Sequence, residues 1–208
     1  MTASVVLLVD DDEDVRDSTR SLLETAGYAV TDYASARDVL ESPMVGDCLV
    51  TDVRMPEMDG LELQRELRRR GCFIPVVIMT AHGDIAMAVR AMREGAIDFV
   101  EKPFDDELLE SIGRALDSKA APSAPPVAKP NEVAAAESLL EKLTPRERDV
   151  FDQLILGRSN KLAAFELGLS TRTVESHRAR LLDKLDARSV ADLVRISMAA
   201  AVLSLKTG

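Results

Sequence analysis

The sequence predicts a doubly wound α/β fold, a five-stranded parallel sheet flanked by helices, followed by a separate all-α domain. Three observations carry this. Over residues 1–118, short apolar runs alternate with amphipathic stretches. The stretch KAAPSAPPVAKPN at 119–131 then breaks the pattern with four prolines. From Thr144 to Ala201 every segment has helical period and none carries a strand signal.

The elements follow in order. Apolar runs at 5–9, 48–50, 75–79 and 97–100 read as strands, and a more polar strand fits 28–33. Short, nearly continuous apolar runs suit parallel strands buried on both faces. Residues 15–25 put Val15, Leu22 and Leu23 on one helical face; residues 61–70 put Leu61, Leu63 and Leu67 inward and Arg68, Arg69 and Arg70 outward. Stretches 85–94 and 107–116 complete the helical set. Repeated strand-then-helix units predict the doubly wound sheet.

Prolines can continue neither a helix nor a central strand, so residues 119–137 read as an Ala/Pro-rich linker. Within it, residues 133–140 start a short helix leading into the second domain, and the expected domains are 1–118 and 138–208. Thr144, Pro145 and Glu147 form an N-cap, a first-turn proline and a capping-box acid. Gly157 ends that helix; Ser159 opens the next and Gly168 ends it. Ser170 or Thr171 caps a third helix over 172–185, and Ser189 opens a fourth.

Composition narrows the classes. Hydrophobic residues at 46% and charged residues at 30% suit a water-soluble globular protein. Aromatics are 3% with no Trp, so Leu, Val, Ile, Ala and Met must build the core. No apolar run is long enough to span a membrane, and the N-terminus reads directly into a strand rather than a signal peptide. Cytoplasmic residence is the expectation. Cys48 and Cys72 flank apolar runs and read as small buried hydrophobes, not as a disulfide or metal pair. Residues 1–118 hold 12 basic against 25 acidic side chains, whereas residues 119–208 hold 14 against 11. The mildly basic half is the candidate for nucleic acid.

Asp10 and Asp11 follow the first strand, Asp52 the third, Thr80 ends the fourth and Lys102 the fifth. All lie at carboxyl ends of strands, where an open parallel sheet binds its ligands. Clustered carboxylates repel one another, so positive charge must offset them. Hard oxygen donors suit Mg²⁺, and Lys102 adds a second cation. A carboxylate such as Asp52 can then attack a phosphoryl group whose charge Mg²⁺ and Lys102 neutralise, and Thr80 can hydrogen-bond the product. Such a bond can move Thr80 and act as a switch. Asp12 reads as a helix-start acid, and His82 as a surface-loop residue with no donor role.

The strings LLVDDDEDVR, VTDVRMPEMDG, VIMTAHG and DFVEKPF, in this order and spacing, resemble the signatures of the receiver domains of two-component response regulators, which have a flavodoxin-like fold. The resemblance implies that Asp52 is the phosphoacceptor and that Asp10, Asp11, Asp52 and the Arg54 backbone carbonyl hold Mg²⁺. It also implies that Thr80 and Phe99 are the switch pair and that Lys102 precedes a cis proline, Pro103.

The second half carries LTPRER, GRSNK and STRTVESHR, which resemble the LuxR/GerE-type helix-turn-helix. A helical wheel puts Val174, Leu181, Leu182 and Leu185 on a core face. Opposite lie Arg172, Ser176, Ala179, Arg180 and Asp183, flanked by Thr173 and Glu175. This face would enter the major groove. Phosphate contacts are expected from Lys161, Thr171, Arg172 and Lys184, and base contacts from Glu175, Ser176 and Arg180. Arg178 lies at the core edge, either a DNA contact or an internal ion pair with Glu147. His177 reads as packed or phosphate-contacting.

Together the motifs resemble FixJ-type response regulators across almost the whole chain. The resemblance implies a non-enzymatic transcription regulator with a FixL-like sensor histidine kinase, promoter DNA and RNA polymerase among its partners. It also implies a homodimer formed on phosphorylation through the fourth helix, fifth strand and fifth helix, here roughly residues 84–117. Two other readings stand beside it. A phosphatase or phosphotransferase would need a second nucleophile or general base, and none is visible. A phosphorylation-independent regulator would not need Asp10, Asp11, Asp52, Thr80 and Lys102 intact.

Overall fold

The structure is a computed structural model and describes residues 3–81, 85–104, 106–118 and 130–204. His82, Asp84 at the start of the expected dimer face, and residues 119–129 of the expected linker lie outside the described residues. The chain divides into two compact units.

In the α/β unit the strands are β1 (Val5–Val9), β2 (Ala29–Tyr33), β3 (Cys48–Asp52), β4 (Val76–Thr80) and β5 (Asp98–Glu101). Between and after them in sequence run α1 (Glu13–Thr25), α2 (Ala36–Glu41), α3 (Gly60–Arg69), α4 (Ile85–Arg93), all but its last residue assigned to the second unit, and α5 (Asp106–Ser118). The sheet is wholly parallel in the order β2-β1-β3-β4-β5. Strand order therefore reverses between β1 and β3, which opens a crevice at their carboxyl ends.

β1, β3 and β4 are almost wholly buried, as the apolar runs require. Alternation divides their side chains between two faces. Val6, Leu8, Cys48, Val50, Val77, Met79 and Val100 pack with Leu23 of α1 and Leu108, Ile112 and Ala115 of α5. On α3, Leu61, Leu63 and Leu67 are each no more than 2% exposed, and Arg68, Arg69 and Arg70 are exposed.

Three details differ from expectation. The third strand runs on through Asp52 instead of stopping before it. Helix α2 lies between β2 and β3, capped by Ser35, whose side chain accepts from the Asp38 amide. Cys48 is fully buried but Cys72 only half-buried, and both are free thiols. Burial pushes the Cys48 thiol up to about 12, so it stays neutral.

The helical unit contains α6 (Pro130–Glu141), α7 (Pro145–Ile155), α8 (Asn160–Leu167), α9 (Thr171–Leu185) and α10 (Val190–Ser204). The short helix expected over 133–140 is α6, which begins three residues earlier, so residues 130–137 of the expected linker form its first two turns. Thr144 and Glu147 form a reciprocal capping box with Pro145 in the first turn. Gly168, at φ 64°, closes α8 in the left-handed conformation and Ser170 caps α9, which makes a tight turn between the two helices. Val150, Phe151, Leu154, Val174, Leu181 and Leu193 are fully or almost fully buried at its centre. Among the described residues no helix is long and apolar enough to cross a membrane.

Candidate functional site

β1 and β3 are neighbours, so the residues at their carboxyl ends are too. Asp10 follows β1 and is 1% exposed; Asp52 ends β3 and is 6% exposed. Lys102, immediately after β5, reaches between them. Its Nζ donates to Asp10 Oδ2 at 2.6 Å and to Asp52 Oδ1 at 2.5 Å. The cis Lys102–Pro103 bond expected from the sequence is present.

Both carboxylates are further held by backbone amides. Arg54 N donates to Asp52 Oδ2 at 2.5 Å, and Asp12 N donates to Asp10 Oδ1 at 3.1 Å. Asp12 caps α1, its own carboxylate accepting from the Val15 amide, as its place in the sequence predicts. Thr80 ends β4, is 1% exposed, and its carbonyl accepts from the Lys102 amide at 2.7 Å. Phe99, 5% exposed, lies opposite Ile78 in the β4–β5 ladder.

Gly60 is a site residue that sequence reasoning missed. It begins α3, and its amide donates to the Val53 carbonyl at 2.9 Å. A Cβ at Gly60 would lie 2.2 Å from the Asp52 carbonyl oxygen. Only glycine lets the helix start pass so close to the Asp52 backbone. The signal was present in the Met58-Asp59-Gly60 string, where Asp59 caps the helix with a capping box to Glu62.

The electrostatics are one-sided. Burial, the strongest influence on Asp10, lifts its carboxyl above the ordinary value, and Lys102 only partly offsets it. Burial alone would lower Lys102, but its hydrogen bonds to Asp10 and Asp52 outweigh that and hold it above its ordinary value, so it stays an ammonium. The pocket therefore accommodates further positive charge.

The structure gathers Asp10, Asp52 and Lys102 but leaves Asp11 exposed. Among the described residues no three acidic, His or Cys side chains converge as a ready-made metal cage. The donors still fit Mg²⁺ chemically. Asp10, Asp11 and Asp52 offer hard oxygens, and neither the Asp11 carboxylate nor the Arg54 carbonyl has a hydrogen-bond partner among the described residues.

In the helical unit, α9 presents the face that the wheel predicts. Val174, Leu181 and Leu185 are buried, and Thr171, Arg172, Glu175, Ser176, Ala179, Arg180 and Asp183 are exposed. Leu182, Thr173, His177 and Arg178 are half-buried. Many cations of this unit are spent internally: Arg146 on Asp149, Arg148 on Asp152, Arg158 on Glu166 and Arg195 on Asp192. The side chains of Lys161, Arg172, Arg178 and Arg180 have no ion-pair or hydrogen-bond partner among the described residues.

Lys184 is not in that unpartnered set. Its Nζ donates to Glu147 Oε2 at 2.7 Å. Glu147 thus has an internal ion pair, as expected, but with Lys184 and not with Arg178. Lys184 is half-buried on the flank of α9, and its long stem delivers the ammonium to Glu147 at the cap of α7. The pairing with Lys184, with help from the Thr144 amide, holds the Glu147 carboxyl at about 2.

Comparison with known proteins agrees with both halves. A model of response regulator receiver domains matches residues 6–113, and a model of bacterial regulatory proteins of the luxR family matches residues 141–197. The chain is 40% identical over 205 residues to the transcriptional regulatory protein FixJ of Bradyrhizobium diazoefficiens, covering 98% of each. It is 43% identical over 202 residues to FixJ of Rhizobium meliloti, covering 96% of this chain and 97% of that one. Among solved structures it is similar to full-length FixJ from B. japonicum, with TM-score 0.51, 40% identity and coverage of 97% and 98%. These families and relatives are transcriptional regulators, not enzymes. A receiver with an Asp–Lys–Asp pocket, joined to a luxR-type helix-turn-helix along a chain alignable almost end to end with FixJ, places this protein in the FixJ type of two-component response regulators.

Proposed function

We propose that the chain is a transcription regulator switched by phosphorylation of Asp52, with residues 1–118 as receiver, 119–137 as connecting segment and 138–208 as DNA-binding domain. The observation that carries the reading is the Lys102 ammonium held between the buried carboxylates of Asp10 and Asp52.

The donor is a sensor histidine kinase of the FixL kind. A carboxylate oxygen of Asp52 forms the new O–P bond as the N–P bond of the donor's phosphohistidine breaks, and the imidazole leaves with the electron pair. Lys102 balances charge on the phosphoryl oxygens, and the Thr80 hydroxyl donates to one of them. Asp10, Asp11, Asp52 and the Arg54 carbonyl would hold Mg²⁺, which supplies charge neutralisation at the transferring group. Thr80 turning toward the phosphate, with Phe99 following, carries the change to the face around residues 84–117. That face then dimerises. Without the phosphoryl group the receiver restrains the DNA-binding domain, and phosphorylation shifts the population toward the released dimer.

On promoter DNA, α9 enters the major groove. Lys161, Thr171 and Arg172 contact phosphates; Thr173, Glu175, Ser176, Arg178 and Arg180 read or flank base edges. The unpartnered cations Lys161, Arg172, Arg178 and Arg180 support this reading. Lys184 contributes by fixing α9 against α7, with its ammonium already on Glu147. RNA polymerase is the further partner of a promoter-bound dimer.

The test is mass spectrometry after incubation with acetyl phosphate and Mg²⁺, paired with light scattering and DNA binding of wild type and Asp52→Asn. Phosphate on Asp52, with dimerisation and DNA binding that Asp52→Asn lacks, is the expected result. Modification elsewhere, or an Asp52→Asn protein that dimerises and binds DNA like phosphorylated wild type, overturns it.

A further inference from the structure

Every hydrogen-bonding group of Asp10 is in use, and one partner stands out. Its amide donates to the Tyr33 carbonyl, Oδ1 accepts from the Asp12 amide, and Oδ2 accepts from Lys102. Its carbonyl accepts from Arg16 Nη1 at 2.8 Å. Arg16 lies in the first turn of α1 with its side chain only 13% exposed. Its Nε donates to Asp32 Oδ2 on β2 at 3.2 Å, and Arg20, one turn on, pairs with the same oxygen.

We propose that Arg16, oriented by Asp32, is a positioning residue for the acidic pair Asp10–Asp11, and that divalent-cation binding depends on this fork. The inference rests on the Mg²⁺ site assigned under the proposed function. Arg16 fixes the carbonyl of Asp10, and so the plane of the peptide joining Asp10 to Asp11. The direction in which the chain leaves β1 sets where the Asp11 carboxylate goes, and that carboxylate has no other tether among the described residues. Two donors in a rigid plane are needed to bridge a carbonyl and a carboxylate. Lysine, a single flexible point charge, cannot do so. Asp32, itself held by Arg20, keeps the guanidinium from swinging away.

Charge and geometry make opposite predictions, which allows a clean test. As a mere charge, Arg16 repels a divalent cation, and removing it should tighten binding. As a positioner, its loss should weaken binding, and outer-shell partners of metal ligands are typically worth about 10–100-fold in affinity. Mg²⁺ alone is titrated calorimetrically into the full chain for wild type, Arg16→Lys, Arg16→Gln and Asp32→Asn, with amide NMR shifts at Asp11 and Arg54 locating the ion and thermal midpoints measured without Mg²⁺. All three variants are expected to bind about tenfold more weakly or worse, with the Mg²⁺-free midpoint of Arg16→Lys near wild type. If Arg16→Gln fails to fold, Arg16→Lys and Asp32→Asn still decide the matter. Wild-type affinity in Arg16→Lys and Asp32→Asn, or tighter binding in Arg16→Gln, overturns the positioning role alone. A wild type with no Mg²⁺-dependent shift at Asp11 overturns the Mg²⁺ site itself, and this inference with it.

Discussion

Gly60→Ala tests whether the Asp52 backbone is held where the chemistry needs it. The added methyl would sit 2.2 Å from the Asp52 carbonyl oxygen and 3.2 Å from the Thr51 Cγ2. The close contact is with backbone, which cannot rotate away as a side-chain end could. Either the end of β3 or the start of α3 must move by about 1 Å before the contact becomes tolerable. Overpacking of this kind costs about 1–3 kcal/mol of stability, which a receiver core of this size survives. The effect on reaction is larger in relative terms. A misplacement of about 1 Å can cost on the order of 100-fold in rate, equivalent to about 2.7 kcal/mol in the barrier. Phosphorylation of Asp52 by acetyl phosphate, followed by mass spectrometry over time, should therefore slow about 100-fold in a protein that remains folded by circular dichroism. Gly113 supplies the control: it lies within α5 and a Cβ there meets nothing within 4 Å. Gly113→Ala should leave the rate unchanged and stabilise by up to about 1 kcal/mol, the helix-propensity difference. A Gly60→Ala rate within a few-fold of wild type would refute the claim that close approach of α3 positions Asp52.

Lys102→Ala removes the cation shared by two buried carboxylates. Asp52 phosphorylation by acetyl phosphate should fall by roughly 10²–10³, as for loss of a preorganised charge-stabilising donor, and phosphate incorporation near wild type would contradict the role given to Lys102. Glu147→Gln should destabilise the helical unit by about 1 kcal/mol through the weakened cap and ion pair. The wild-type carboxyl titrates at about 2 when folded against an ordinary 4.5, so its stabilisation is present above pH 4.5 and fades as pH falls toward 2. Thermal melts across that range should show a shallower acid limb in Glu147→Gln; equal limbs would count against the Glu147–Lys184 pair. Arg180→Ala should cost about 1–3 kcal/mol on the preferred sequence and relax discrimination at one base position, whereas Lys161→Ala should weaken all sequences alike and reduce the salt slope by about 1. Fluorescence anisotropy on matched and mismatched duplexes at several salt concentrations separates them, and identical behaviour of the two variants would undo the division into base and phosphate contacts.

Periodicity made the strands and the long helices legible, because burial on one or both faces leaves a direct mark on residue choice. The α7 capping box and the Gly168–Ser170 turn were legible for a different reason: helix ends leave unpaired backbone groups, and few side chains satisfy them. Helix α2 was not seen because six residues give too little period to count, and only Ser35 marks its start. Asp52 was placed after its strand because a charged residue ends an apolar run, yet Lys102 and the Arg54 amide satisfy that charge inside the ladder. Lys184 was not seen as the partner of Glu147, for which Arg178 was one of two readings, for a related reason. A wheel projects Cα directions, whereas a lysine stem carries its ammonium several ångströms from where its Cα points. Gly60 and Arg16 act through backbone atoms of other residues, and no pattern of side chains records that.

The arrangement of charge in the helical unit bears on the dimer proposed above. Among the described residues Lys161, Arg172, Arg178 and Arg180 are four cations of α8 and α9 without a side-chain partner, and Glu175 and Asp183 on α9 work against them. Each phosphate neutralised adds about 0.9 to the salt slope, so a slope of about −3 to −4 is the most these four cations could give, and only if Arg178 and Arg180 also met phosphates. Between 50 and 200 mM salt that costs about 10² in affinity, which leaves a monomer little hold on DNA at physiological ionic strength. Two units on paired half-sites double the slope and convert the second contact into an intramolecular one, which raises avidity by about 10²–10⁴ without new contacts. In the proposed dimer, a basic face this sparse would place occupancy under the control of whatever joins the two copies. Occupancy so controlled suits a regulator whose phosphoryl signal acts on association and leaves the recognition helix unchanged.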